Sequence, residues 1–179
     1  MKITLLASFL VMAAYFLLLY AGVGLIQEKK FFSSAPREGI AAVPERKAER
    51  LRGAHILGWY LGILAMLLFL GAAVLAARDG VRNGFTFGAF FTRYLVILYV
   101  MEVYDILFFD WVLLCHSNFF PHFYPEVKGI ATPQLFGYNK KAHLTHFLLY
   151  IPLSAALAWV CTLSVSYTHL RAHETVLDL

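Results

Sequence analysis

The stretch ITLLASFLVMAAYFLLLYAGVGLI, residues 3–26, carries no charged side chain across 24 consecutive positions. At about 1.5 Å of rise per residue, a helix of that length exceeds the ~30 Å hydrocarbon core of a bilayer. A cleaved leader is the competing reading. Its apolar part, however, runs only ~7–15 residues and ends in small residues at a cleavage site. Neither feature is present here, so an uncleaved membrane-spanning helix is expected.

The rest of the chain continues in the same material. Of its 179 residues, 60% are hydrophobic, 16% aromatic and only 15% charged, against roughly half apolar and a quarter charged in a soluble domain. Further apolar runs cover about 56–77, 90–115 and 146–163, with the charges gathered between them. The expected fold is all-α: a polytopic membrane helix bundle of about four transmembrane helices, in a membrane domain of residues 1–164. The net charge of +4 would suggest nucleic acid in a soluble protein. Beside membrane spans it speaks instead for orientation and anionic headgroups, and no nucleic-acid partner is expected. Cys115 and Cys161 both fall in apolar runs without CxxC spacing, so no zinc or disulfide framework follows.

Lysine and arginine placement sets the orientation. The first connection, residues 27–52, has seven basic residues, the second has Arg78 and Arg82, and the third has Lys128, Lys140 and Lys141. Basic connections stay in the cytoplasm, which puts the N-terminus outside. Pro44, just ahead of Glu45 to Arg52, fits either a short helix along the headgroups or a solvated loop. Gly58 and Gly62 have the small-xxx-small spacing that lets another helix approach. Residues 78–84 read as a turn. The stretch from Ser117 to Lys141, rich in aromatics and broken by prolines, reads as an interfacial or re-entrant loop.

The third run holds the candidate chemistry. A carboxylate in the bilayer interior costs about 2.5–3.5 kcal/mol on insertion scales, and Glu102, Asp105 and Asp110 lie in one run. At ~100° per residue Glu102 and Asp105 share a stripe, with His116 between them in angle. Asp110 points roughly 140° away from Asp105. The alternative reading pairs these acids with Arg93, Tyr94, Tyr99, Tyr104 or Trp111 as structural hydrogen bonding inside the bundle. His116 closes the run, His122 lies in the aromatic loop, and His143 and His146, three apart, share a face where the last run opens. Asp110, His116, His122, His143 and His146 are therefore expected to converge at the inner membrane surface. Such a set suits zinc, iron or a proton relay, with His122, His143 and His146 the metal candidates.

Residues 104–111, YDILFFDW, followed by Cys115-His116 and the aromatic loop, resemble the central segment of small uncharacterised bacterial membrane proteins. The likeness covers about thirty residues, and its motif is two aspartates five apart followed by tryptophan. It implies a multi-pass protein of the bacterial inner membrane and no particular activity. A second resemblance concerns residues 165–175, VSYTHLRAHET, which match the translation of a transposase-type sequencing-library adapter. Residues 165–179 are accordingly expected to be a non-native tail, and His169 and His173 are set aside.

Three functions are open at this point. The first is a small binding or assembly component, working with a membrane-protein partner or further copies of itself through its acidic stripe. The second is a membrane-embedded metal-binding protein or enzyme using the histidines and aspartates. The third is a component of a small proton-coupled transporter. No nucleophile elbow, phosphate-binding glycine loop or multiple histidine box is present in the sequence.

Overall fold

In the computed structural model the described residues are 1–32, 37–130 and 135–177, without the side chains of Phe32 and 167–177. They are helical almost throughout. Helix α1 runs Lys2–Tyr20 and continues as a π-helix over Ala21–Ile26. A single turn of helix α2, Arg37–Ala42, follows in the first connection. Helix α3 spans Ala54–Arg82. Helix α4 spans Phe87–Tyr104 and continues as a π-helix over Asp105–Cys115. After the short α5, Phe119–Phe123, the chain ends in α6, Lys140–Leu177.

Three of these helices are long and apolar enough to cross a membrane: Lys2–Ile26, Ala54–Arg82 and Lys140–Ser166. The helix through residues 87–115, which carries Arg93, Glu102, Asp105 and Asp110, is not one of them. The expectation of four spans is thus met by length and composition for three. Large side chains such as Phe9, Tyr60, Leu70 and Trp159 stand exposed on the outer faces, as lipid contact requires and water would not favour.

Several helix boundaries differ from the sequence reading. Residues 78–82 remain helical, and the turn is confined to Asn83–Thr86, with Gly84 at φ 61°. The reason is a buried polar contact. Arg93 reaches back across the turn to the Asp79 carboxylate at 2.7 Å and to the Ala76 carbonyl at 2.7 Å, which holds the last turn of α3 in place. Thr86 then caps α4 by accepting from the Ala89 N–H. Of the two readings of Glu45–Arg52, helix or loop, the structure has the loop. That segment lies extended, with the Lys47 N–H donating to the Gln27 carbonyl and the Lys29 N–H to the Glu45 carbonyl. At its end the Glu49 carboxylate accepts the Gly53 N–H at 2.9 Å, at the positive end of α3.

The buried interior is divided in two. One cluster joins α1, α3, α4 and α6 through small residues, Ala7, Ala72, Ala76 and Ala158, around Phe90 and Tyr94. The second lies where both long connections meet, around Val23, Val43, Tyr124 and Val127, with Phe119, Phe120 and Phe123 packed on it. The aromatic loop therefore folds over the end of α1. Of the two glycines expected to admit a neighbour, only Gly58 does so: a Cβ there would stand 2.7 Å from Ile26 and 3.0 Å from Leu25. Gly62 has open space around its Cα. Gly80 plays the equivalent part at the other end of α3, where a Cβ would collide with the ring of Phe90.

Candidate functional site

The site lies between α4 and α6, at the end of the bundle that bears the long connections. Helix α6 places His143, His146 and Tyr150 on one face, as their spacing of three and four residues demands. Helix α4 brings Glu102, which is 1% exposed, directly opposite. Glu102 Oε1 is 2.8 Å from His143 Nδ1 and 3.1 Å from His146 Nδ1. Its other oxygen accepts from the Tyr150 hydroxyl at 2.9 Å. The second nitrogen of His143, Nε2, is 2.8 Å from Asp110 Oδ2, and Asn139 reaches the same carboxylate at 3.4 Å. Asp105 Oδ2 stands 3.8 Å from His143 Nδ1.

Asp110 reaches this cluster because the helix changes register. With α-helical steps it would point well away from Asp105. From Asp105 onward the chain is a π-helix, whose i→i+5 bonds bring residues five apart back toward one side. Asp105 and Asp110 consequently line the same cavity, along with His143 and His146. π-helical turns are rare and tend to occur at functional sites. Here the register determines which carboxylates meet the histidines.

The structure does not bring His116 and His122 to this place. His116 is exposed, donates through Nδ1 to the Trp111 carbonyl at 2.8 Å and packs on that indole. The π segment displaces it from the angle that an unbroken α-helix would give. His122 sits on α5, where its Nε2 accepts from Arg50 at 3.2 Å. The expected five-residue convergence is thus reduced to Asp110, His143 and His146, and gains Glu102 and Asp105. Arg93 serves Asp79 rather than these acids. Tyr150 and Asn139 were not singled out from sequence, although the His143, His146, Tyr150 spacing marks Tyr150 as a member of the same face. The side chains of His169 and His173 lie outside the described residues.

Glu102, His143 and His146 each offer one ligand atom, and these three atoms lie within 4.8 Å of one another. Ligands of a tetrahedral zinc ion at about 2.0–2.1 Å stand roughly 3.3 Å apart. The two Glu102–histidine separations, 2.8 and 3.1 Å, would open by a few tenths of an ångström to admit an ion. The cluster faces a cavity of about 770 Å³ that also takes in Tyr15, Lys30 and Arg37, within the size range of small-molecule sites.

The two connections that frame this cavity are fastened to each other. Lys47 Nζ donates to both oxygens of Glu126, at 2.9 and 3.0 Å, and to the Phe123 carbonyl at 3.3 Å. Gln27, at φ 54°, donates through its side-chain amide to the same carbonyl. The hydrogen bond from Lys47 holds the Glu126 carboxyl below the usual carboxylate range.

The chain belongs by its architecture to the helical proteins with helices suited to crossing a membrane, and its polar cluster is of the His/carboxylate type. No protein family, curated protein or solved structure matches it.

Proposed function

We propose that this is a multi-pass membrane protein that binds a divalent transition-metal ion, of the zinc class, through Glu102, His143 and His146. The single observation behind this reading is the position of His143 between two carboxylates, each 2.8 Å from one ring nitrogen. A nitrogen that close to a carboxylate oxygen needs a cation between them, either a proton or a metal. Metal-ligating histidines characteristically donate their other N–H to a carboxylate. Asp110 is placed to accept from Nε2, which leaves the Nδ1 lone pair for an ion shared with Glu102 and His146. Three protein ligands beside a cavity leave a coordination position open, as in catalytic rather than structural zinc sites. A metal there would lower the pKa of a bound water and so suit hydrolytic chemistry. Asp105 is the nearest further carboxylate.

A purely assembling role for the acids is less well supported, because Glu102 and Asp105 turn inward to α6 and the cavity rather than outward. The proposal includes the helix through residues 87–115 as a fourth span, since its Arg93 and Glu102 are buried and paired within the bundle. It also includes an inner-membrane location with the basic connections in the cytoplasm. Impermeant thiol labelling of an Arg52→Cys variant from the cytoplasmic side checks that orientation; labelling only from outside would reverse it.

The test is elemental analysis of the purified full-length protein after exposure to zinc. About one metal per chain is expected, with loss in a His143→Ala, His146→Ala double variant. Because His143 is buried, the single variant His146→Ala is measured alongside it, with helicity checked for each. A well-folded parent that retains no metal would sink the metal reading and leave Glu102–His143–Asp110 as a proton-sharing relay.

A further inference from the structure

The cavity that the proposed metal site opens onto is not uniform, and its gradient of character identifies an occupant. Asp105, Asp110, His143 and His146 line it where it meets the proposed metal site. Its apolar lining includes Leu18 and Leu19 of α1, Val23 of the π-helix that continues it, and Phe109 and Leu114. At the level of the connection that follows α1 stand Lys30 and Arg37, both lining the same space. Arg37 is exposed and makes no ion pair or hydrogen bond among the described residues. Lys30 is shared with Glu28 at 2.6 Å and lies over the Trp59 ring at 4.9 Å. From Tyr15, which also lines the cavity, to Ile26 at the end of the helix is roughly 15 Å of α1. The space therefore runs from the headgroup level into the depth of the acyl chains.

We infer that this cavity binds an amphiphile with an anionic head, the head held by Lys30 and Arg37 and the apolar part laid against Leu18, Leu19 and Val23. Lys30 and Arg37 draw an anionic head to their part of the lining, while Asp105 and Asp110 disfavour it at theirs. The apolar wall has no use for a small soluble anion. The inference rests on the metal-site reading in one respect, namely that it takes the cavity as the open side of that site. The head is that of a membrane lipid, and free phosphate, which lacks the part that the apolar wall would hold, is the control.

The experiment uses the full chain in neutral detergent micelles and measures equilibrium binding of a fluorescent phosphatidate. The competitors are dioleoylphosphatidate, dioleoylglycerol and inorganic phosphate, and bound metal is quantified on the same samples. Saturable binding is expected, with dioleoylphosphatidate competing far better than the other two. A Lys30→Gln, Arg37→Gln double variant should bind phosphatidate roughly thirtyfold more weakly, as two lost cations near a headgroup imply, with its metal content unchanged. Both side chains stand at the mouth rather than in the core, so the variant is expected to keep its fold. Equal competition by dioleoylglycerol, or full affinity in the double variant, would overturn the inference. Competition by inorganic phosphate at the same concentration as dioleoylphosphatidate would also overturn it, by reducing the site to one for a soluble anion. Phosphatidate binding in a parent that carries no metal would support it while removing the metal reading.

Discussion

Asp110 shows how much a single side chain's neighbours decide. It is not one of the proposed ion's ligands, yet its carboxylate is 2.8 Å from His143 Nε2 and sets which nitrogen of that ring faces Glu102. Replacing it with asparagine keeps the shape and removes the charge that orients the imidazole. Partners of this kind typically contribute 10–100-fold in metal affinity. Asp110→Asn is therefore expected to weaken zinc binding by roughly that factor in a competitive chelator titration, while leaving helicity unchanged. An unaltered zinc affinity would show that Asp110 has no positioning role. The carboxylates and both histidines were legible in the sequence as candidates, because charges inside apolar runs stand out. Their selection was not. His116 and His122 look equivalent to His143 and His146 in one dimension, and only the fold sends the first pair to exposed or loop positions.

Among the elements, α3 carries a clear contrast between two glycines of the same sequence motif. Gly58 lies against the π-helical end of α1, so a methyl group there meets Ile26 at 2.7 Å and the Ile26 backbone nitrogen at 3.1 Å. Overpacking of that kind costs about 1–3 kcal/mol. Gly62 faces open space, and alanine there gains helix propensity of up to about 1 kcal/mol. Thermal unfolding in detergent should accordingly show Gly58→Ala destabilised and Gly62→Ala unchanged or slightly stabilised. Equal effects at the two positions would mean that the α1–α3 approach is not what the geometry indicates. The π-helical segments are the elements that sequence reading missed. Residues 105–115 have the composition of any apolar helix, and a change from i→i+4 to i→i+5 bonding leaves no mark on hydrophobic periodicity. Its effect on Asp110 is nonetheless decisive.

At the scale of the whole molecule, two connections far apart in sequence close one end of the bundle, and the Lys47–Glu126 pair joins them. The Glu126 carboxyl is lowered by its bond to Lys47, so the folded protein binds that proton less readily than the unfolded chain does. Its stabilisation is present above the ordinary carboxylate pKa and is lost as pH falls through the lowered folded value. Both side chains are partly exposed, so solvent screening limits the effect to about 1 kcal/mol or less. Comparing the parent with Glu126→Gln should show a small stability difference at neutral pH that vanishes in acid. A difference that persists unchanged below the carboxylate range would assign it to packing instead.

The amino-acid sequence by itself determined that this chain is helical and that its long runs suit a membrane, because uncharged stretches of more than twenty residues have few other stable settings. It also determined that the runs alternate with basic connections. The tertiary structure alone decided which polar groups meet. Whether a histidine faces a carboxylate, an indole carbonyl or an arginine depends on helix register and on where a loop folds back. Those are set by long-range packing, such as Tyr124 and Phe123 against the end of α1, which no local pattern encodes.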